Sequence, residues 1–349
     1  MYNWKVGTVF TKQSDISEDM MLRTMPGVLE ILLKDRSTGK NIIWASDDYV
    51  ENGEGYSFAD EITAENIIGE HERLIMPRIY KSIEIQQKRI RGKGEVFTPA
   101  WICNLQNNAV DEAWFGMEDI TGKQQGPFNR AEEGKWEVNE EKILFPEAGR
   151  AKQKSWQSYV RHRRMEITCG EAPYLASRYD SSSGEMIEVK ARIGMLDRKL
   201  RVIGENADCP KRWREWAIIA VQNTYGYDWQ GDNVLLAREN VLFTVIEHYK
   251  ERYNRDLPEE IIKELAEIIS WNIWQMDGLK YVVPGTCHEE VDIEPIAMSL
   301  FGEEVAEPKM IMCPGCTTGN PKRHNGIACK IYDWANKKAL FMRDLLRDK

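Results

Sequence analysis

The chain has 349 residues, of which 42% are hydrophobic, and its formal net charge is −9 at pH 7. This length and apolar content predict one large domain or two moderate ones with a sizeable core. The negative total excludes a general attraction to nucleic acid, although it leaves room for local basic surfaces. The sequence contains no run of 18 or more apolar residues, so we expect no transmembrane helix. The amino-terminal residues lack the apolar stretch of a signal peptide.

Seven cysteines in a chain of this length do not have the pattern of a disulfide framework. Three of them cluster late in the sequence at the spacing of metal ligands, which is typical of a reducing compartment. We therefore expect a cytoplasmic protein with no membrane partner.

The predicted elements begin with an α+β region at residues 1–75. Two apolar runs, 27–33 and 41–45, flank a turn at 35–40 and predict a β-hairpin with a long loop. Two helices follow in the prediction, at 77–92 and 101–115, and residues 121–145 are typical of a loop-rich surface insertion.

From residue 156 onward, predicted strands and helices alternate. A basic helix at 156–164 precedes a short strand at 165–168, and residues 198–203 fit either a strand or the start of a helix. The remaining predicted elements are helices at 210–224, 233–252 and 258–269 and strands at 225–228 and 272–276. Alternation of this kind predicts an α/β fold with a parallel sheet.

Two segments have a strongly basic composition. Residues 150–164 hold six basic residues and no acid, and residues 78–93 are basic with Glu84 as the only acid. Local positive charge of this kind suits contacts with phosphate groups. The alternative interpretation is that each segment is the solvated face of a helix.

Four residues near the end of the sequence have the spacing of a zinc site. Cys313, Cys316, His324 and Cys329 follow the pattern C-x2-C-x7-H-x4-C, and thiolate and imidazole ligands suit tetrahedral Zn²⁺. All four positions are filled by protein, so we predict a structural zinc ion. Cys287 is an alternative to His324 as the fourth ligand, and reduced cysteines on loops are the alternative without a metal.

Three predicted strand ends carry residues that could contact a ligand. In residues 166–175 a strand runs into a tight turn at Gly170 and then a helix, which lets the backbone approach a ligand closely. Asp228 and Asp277 each end a later strand, at the edge where ligands collect in open α/β sheets. Asp228 lies 58 residues after Gly170 rather than the usual ~20. Each feature alone also fits an ordinary strand end.

The order of these motifs resembles the adenine-N6 DNA methyltransferases of restriction–modification systems, most closely their modification (M) subunits. The resemblance runs from Gly94-Glu-Val-Phe-Thr-Pro99 to residues 272–279. It implies a Rossmann-like S-adenosylmethionine-dependent core at 151–285. An N-terminal α+β region would occupy 1–150, and a zinc module with the C-terminal segment would occupy 286–349.

The resemblance also assigns site residues. Phe97, Thr98 and Pro99 would form the Phe-Thr-Pro turn beside the methionine end of the cofactor. The glycine loop would contain Glu166, Cys169, Gly170 and Tyr174. Asp228 would hold the ribose and Asp277 the adenine amino group. Ala172 stands where the family usually has a second glycine.

One departure concerns catalysis. The family's tetrad, Asn/Asp/Ser-Pro-Pro-Tyr/Phe, holds the flipped adenine, and this sequence contains no Pro-Pro pair. We therefore predict a cofactor-binding subunit, with DNA as a partner and a second protein subunit supplying the tetrad or target recognition. The alternatives are a catalytically degenerate DNA-binding or assembly subunit and an RNA methyltransferase.

Overall fold

The computed structural model describes residues 15–94, 98–116, 126–145, 154–292 and 309–346. It is a mixed α/β fold. The first elements are the helices α1 (Glu18–Thr24), α2 (Val28–Leu33), α3 (Ile83–Lys93) and α4 (Ala100–Phe115) and the hairpin strands β1 (Asn129–Glu132) and β2 (Lys135–Val138). Short 3-10 turns fill much of the segment between α2 and α3.

The central elements follow: α5 (Trp156–Arg161), β3 (Arg164–Ile167), α6 (Met195–Asn206), α7 (Pro210–Gln222), β4 (Thr224–Asp228), α8 (Gly231–Tyr253), α9 (Glu259–Asn272) and β5 (Ile273–Gln275). Strands β3, β4 and β5 form a parallel sheet with β4 in the middle. The prediction of a parallel sheet is confirmed.

The last elements are β6 (Glu290–Asp292), β7 (Lys309–Ile311), α10 (Pro314–Thr318), β8 (Lys330–Asp333) and β9 (Lys338–Phe341). They form two antiparallel pairs, β6 with β7 and β8 with β9. Val282 makes isolated bridges to Asp277 and to Ala328, so the chain after β5 and the chain before β8 lie side by side.

The predicted hairpin near the amino terminus is wrong, because its first run forms a helix and its second makes only isolated bridges at Asn41 and Ile43. Residues 28–33 form α2, which buries Val28, Leu29, Leu32 and Leu33 and packs against α9. Apolar residues four apart share one face of a helix, and that face is what α2 buries. The predicted turn at 35–40 is present, because the N–H of Asp35 donates to the carbonyl of Lys40.

Helix α8 lies at the centre of the molecule. Every residue from 231 to 249 is buried, so the helix has no solvent-facing stripe. It contacts α6, α9 and β5. Near its start, Asp232 accepts hydrogen bonds from Lys81 at 2.9 Å and from Arg89 at 2.7 Å. These contacts connect α3, and Lys81 just before it, to the start of α8.

Two apolar clusters lie on opposite faces of the parallel sheet. The larger one combines side chains from residues 16–75 with those of α6 to α9 and includes Ile273 of β5. The smaller one contains Trp274, the next residue of β5, together with Cys329 and Ile331. Successive side chains of a strand point to opposite faces, which is why one strand serves both clusters. No helix in the described parts of the chain is both long and apolar enough to cross a membrane.

Candidate ligand cavity and metal centre

A cavity of about 690 Å³ opens at the carboxyl ends of β3 and β4. This is the edge at which open α/β sheets bind ligands. The cavity brings together six of the residues assigned from the sequence: Thr98, Glu166, Cys169, Gly170, Tyr174 and Asp228. These residues come from three separate segments of the chain, so their common location is set by the fold.

The predicted helix directly after the Gly170 turn is wrong, because residues 168–188 form turns and the next α-helix, α6, begins at Met195. The loop after β3 also has an unusual backbone. Thr168, Gly170 and Ala172 alternate along it with positive φ angles of 48°, 52° and 61°. Ala172 occupies the position where the resembling family has glycine, and the left-handed conformation there costs a non-glycine residue about 1–2 kcal/mol. Backbone strain of this kind persists only where the surroundings enforce it, and it clusters at functional sites.

Asp228 connects this loop to α8. Its Oδ2 accepts the N–H of Gly170 at 2.9 Å. Its Oδ1 accepts the N–H of Gln230 at 3.0 Å and a hydrogen bond from Asn233 at 3.2 Å. These hydrogen bonds hold the Asp228 carboxylate at the edge of the cavity that it lines.

Glu166 holds the far end of the same loop. Its two oxygens accept the backbone N–H groups of Tyr174 at 3.4 Å and Leu175 at 3.2 Å. Burial raises the pKa of this carboxyl well above its usual range, although the two N–H groups oppose the shift. The buried Glu166 side chain therefore fixes the conformation of the loop through these two hydrogen bonds.

Three of the nine assigned residues remain. Phe97 is outside the described residues. Pro99 directly precedes α4 and is not among the residues that line the cavity. Asp277 is also absent from the lining; its Oδ1 accepts the N–H groups of Leu279 at 3.0 Å and Lys280 at 3.1 Å.

Several residues that line the cavity were not assigned from the sequence: Arg78, Glu171, Trp229, Gln230 and Asn233. The last three directly follow Asp228 or lie in the first turn of α8, so their proximity to a strand-end acid was a usable signal. Arg78 lies far away in the sequence, and its N–H donates to Glu171. Nothing local predicts that contact.

The candidate metal centre consists of Cys287, Cys313, Cys316 and His324, whose ligand atoms all lie within 4.8 Å of one another. The three sulfur atoms are 3.5, 3.6 and 3.7 Å from Nδ1 of His324. A tetrahedral zinc ion with Zn–S ≈ 2.3 Å and Zn–N ≈ 2.1 Å requires S···N separations of about 3.6 Å. The four side chains can hold a metal ion such as zinc.

The prediction of Cys329 as a ligand is wrong, and Cys287 takes its place. Cys329 is fully buried in the smaller apolar cluster, and its Sγ donates to the carbonyl of Gln275 at 3.4 Å. Cys287 reaches the site because the N–H of Val283 donates to the carbonyl of Ile327 at 2.8 Å, which joins the two segments.

The three thiols of the metal centre influence one another. Burial and the neighbouring Cys313 and Cys316 raise the pKa of Cys287 to about 11. Burial also opposes ionisation of Cys313, but N–H groups of Asn325 and Cys316 lower the pKa of its thiol to about 6. A bound divalent cation favours the thiolate form of each cysteine ligand, so it would offset the mutual effects that raise the pKa of Cys287.

Comparison with known proteins adds no relative. No protein-family model matches the chain, and neither a curated protein nor a solved structure is significantly similar to it. Functional inference therefore depends on the cavity, the metal centre and the motifs.

Proposed function

We propose that the chain binds S-adenosylmethionine in the cavity at the sheet edge, as a subunit of an adenine-N6 DNA methyltransferase of a restriction–modification system. One observation carries the proposal: six of the nine residues that the motif resemblance assigns to the cofactor line one cavity. A Rossmann-like methyltransferase core is part of the same proposal, supported by the parallel order β3-β4-β5.

The cavity has properties that fit this ligand. Its volume, about 690 Å³, is within the range of roughly 300–1,000 Å³ common for small-molecule sites. Asp228 lines the cavity with a carboxylate, the kind of group that accepts hydrogen bonds from ribose hydroxyl groups. The strained turn around Gly170 lets the ligand approach the backbone where a side chain would block it.

S-adenosylmethionine supplies an electrophilic methyl group when bound. The chain's own residues would do positioning work: Asp228 would orient the ribose, and Glu166 would keep the loop in its binding shape through Tyr174 and Leu175. Thr98 and Tyr174 would close one side of the cavity. Catalysis of this kind comes from orientation and exclusion of water, with no covalent enzyme intermediate.

The adenine-handling motif would come from a second polypeptide. The sequence holds no Pro-Pro pair, so the residues that grip and stack the flipped base in the resembling family have no counterpart here. In this proposal the metal centre has a structural role, because protein side chains fill its four ligand positions.

Isothermal titration calorimetry with S-adenosylmethionine tests the proposal. We expect micromolar binding that weakens at least about tenfold in Asp228→Ala, a loss on the scale of a hydrogen bond to a charged group. Asp208→Ala, which removes an exposed carboxylate at the start of α7, is the matched control and should bind like the unchanged chain.

Two outcomes would contradict the proposal. Equal weakening in both variants would mean that Asp228 does not contact the ligand. No binding to a folded protein would favour the rival function, a degenerate methyltransferase-like DNA-binding or assembly subunit. Ala172 in place of the usual glycine is the observation that favours this rival.

A further inference from the structure

A basic surface forms where α5 packs against α7. Arg161, His162 and Arg163 lie between the end of α5 and the start of β3, and Lys211 and Arg212 lie in the first turn of α7. Arg212 is partly exposed, and the other four are exposed. The fold therefore combines part of the basic segment recognised in the sequence with a second basic group about fifty residues later.

Two tryptophans on this surface, whose rings are tilted by 57° to each other, each lie beside an arginine. The guanidinium of Arg161 lies 4.3 Å from the ring centroid of Trp216, and the Trp216 and Trp156 rings are 4.5 Å apart. The guanidinium of Arg212 lies 5.8 Å from the centroid of the Trp156 ring. A guanidinium stacked on an indole gains cation–π energy and loses part of its freedom before any ligand arrives.

The charge of the surface comes from arginine and lysine. Although much of His162 is accessible to solvent, partial loss of hydration, followed by the positive charges of Arg164 and Lys199, lowers the pKa of its imidazole and favours the neutral form. Asp208 lies 3.3 Å from Arg212 and Asp333 lies 3.7 Å from Arg163. Both arginines are accessible to solvent, and ion pairs that water screens in this way are weak, so a phosphate group can displace the carboxylates.

We propose that this surface, formed by Arg161, Arg163, Lys211 and Arg212 with Trp156 and Trp216, binds the phosphate backbone of duplex DNA. Planar guanidinium groups suit phosphate oxygens because two parallel N–H groups can be donated at once. The basic residues favour phosphate groups whatever the function of the chain, whereas the choice of DNA among nucleic acids depends on the proposed function. The surface lies at the amino end of β3, so it is an anchoring site separate from the cavity.

The test measures binding of the full chain to a fluorescein-labelled DNA duplex by fluorescence anisotropy over a range of potassium chloride concentrations. The triple variant R161A/R163A/R212A should bind at least about tenfold more weakly at low salt. Its slope of log K against log salt should be shallower by roughly 2.7, because each of three phosphate groups left without its arginine accounts for about 0.9.

A charge-matched control removes three exposed cations from other faces: R23A/K135A/K263A. It should lose less than about twofold in affinity. The triple Arg→Lys variant at positions 161, 163 and 212 keeps the charge but not the stacking, and it should fall between the unchanged chain and the alanine variant. Because Arg163 is outside the stack, Arg163→Ala repeats the test in a variant with no packing change.

Three results would overturn the proposal: no binding of the unchanged chain to DNA, equal losses in the surface and control variants, or tighter binding to vesicles of anionic phospholipid than to DNA. None of them depends on S-adenosylmethionine, so calorimetry with the cofactor reports on the proposed function separately.

Discussion

Thr168 holds the least favourable backbone conformation beside the cavity. It is exposed, its side chain is β-branched, and its φ is 48°. Thr168→Gly removes a strain of about 1–2 kcal/mol and adds unfolded-state entropy worth about 0.5–1 kcal/mol. We expect the free energy of unfolding to rise by about 0.5–1 kcal/mol, measured by urea denaturation.

The matched control for this substitution is Thr168→Val. Valine keeps the branched side chain in the left-handed conformation and loses only the hydroxyl that donates to the carbonyl of Ile167 at 2.7 Å. It should be no more stable than the unchanged chain. If valine stabilised the protein as much as glycine, relief of backbone strain would not be the cause.

Glu239 is a second residue that is expected to lower the stability of the folded state. It is 1% exposed, and neither carboxylate oxygen has a hydrogen-bond partner among the described residues. Burial, with Glu18 and Asp15 adding repulsion, raises the pKa of this carboxyl well above its ordinary value of 4.5. The folded state therefore keeps a proton that the unfolded state releases, so this residue makes stability fall as pH rises above about 4.5.

Glu239→Gln removes the ionisable group and nearly preserves the shape. At pH 8 the variant should be more stable than the unchanged chain by at least about 1 kcal/mol, and near pH 4 the two should converge. Denaturant titrations at both pH values measure this difference. Glu30→Gln, at an exposed position in α2, should change neither value; lower stability of Glu239→Gln at pH 8 would contradict the argument.

At the scale of elements, most of the long periodic segments and two short strands were predictable from the sequence, but the short apolar run of α2 was not. α4, α7, α8 and α9 lie close to their predicted positions, as do strands β4 and β5. Pro210 and Pro258 marked two of the helix starts. The six-residue run of α2 fits either a strand or a helix, and its packing against α9 decided the outcome.

The same limit applies to the two sites. Cavity residues at strand ends were predictable because parallel strands present their carboxyl ends at one edge. The choice between Cys287 and Cys329 was not, because it depends on how Val282 pairs with Ala328. Sequence spacing contains no information about that pairing.

The metal centre provides a direct test of this correction. Cys287→Ser removes a ligand and should lower zinc affinity by more than about a hundredfold, since even outer-shell changes cost 10–100-fold. Cys329→Ser removes a thiol outside the cluster and should leave zinc affinity unchanged. Competition with a chromogenic chelator measures both; the reverse pattern would restore Cys329 as the ligand.

At the scale of the whole molecule, the parallel sheet separates two unequal clusters. The larger cluster surrounds α8 and contains none of the four ligands of the metal centre. The smaller cluster includes Val283, Cys329 and Ile331, which lie within a few residues of the ligands Cys287 and His324. A metal ion bound by these ligands would therefore stabilise the smaller cluster, whereas α8 is stabilised by the larger one.

Removing the metal should loosen one side of the sheet. Hydrogen–deuterium exchange followed by mass spectrometry should show faster exchange at 281–287 and 327–333 after chelation, because metal binding and local folding are linked. Amides of α8 should stay protected. Cys287→Ser should exchange in this way without a chelator, whereas Cys209→Ser, at an exposed position outside the cluster, should behave like the unchanged chain. Equal acceleration in α8 would instead make the two clusters one cooperative unit, with the metal supporting the whole fold.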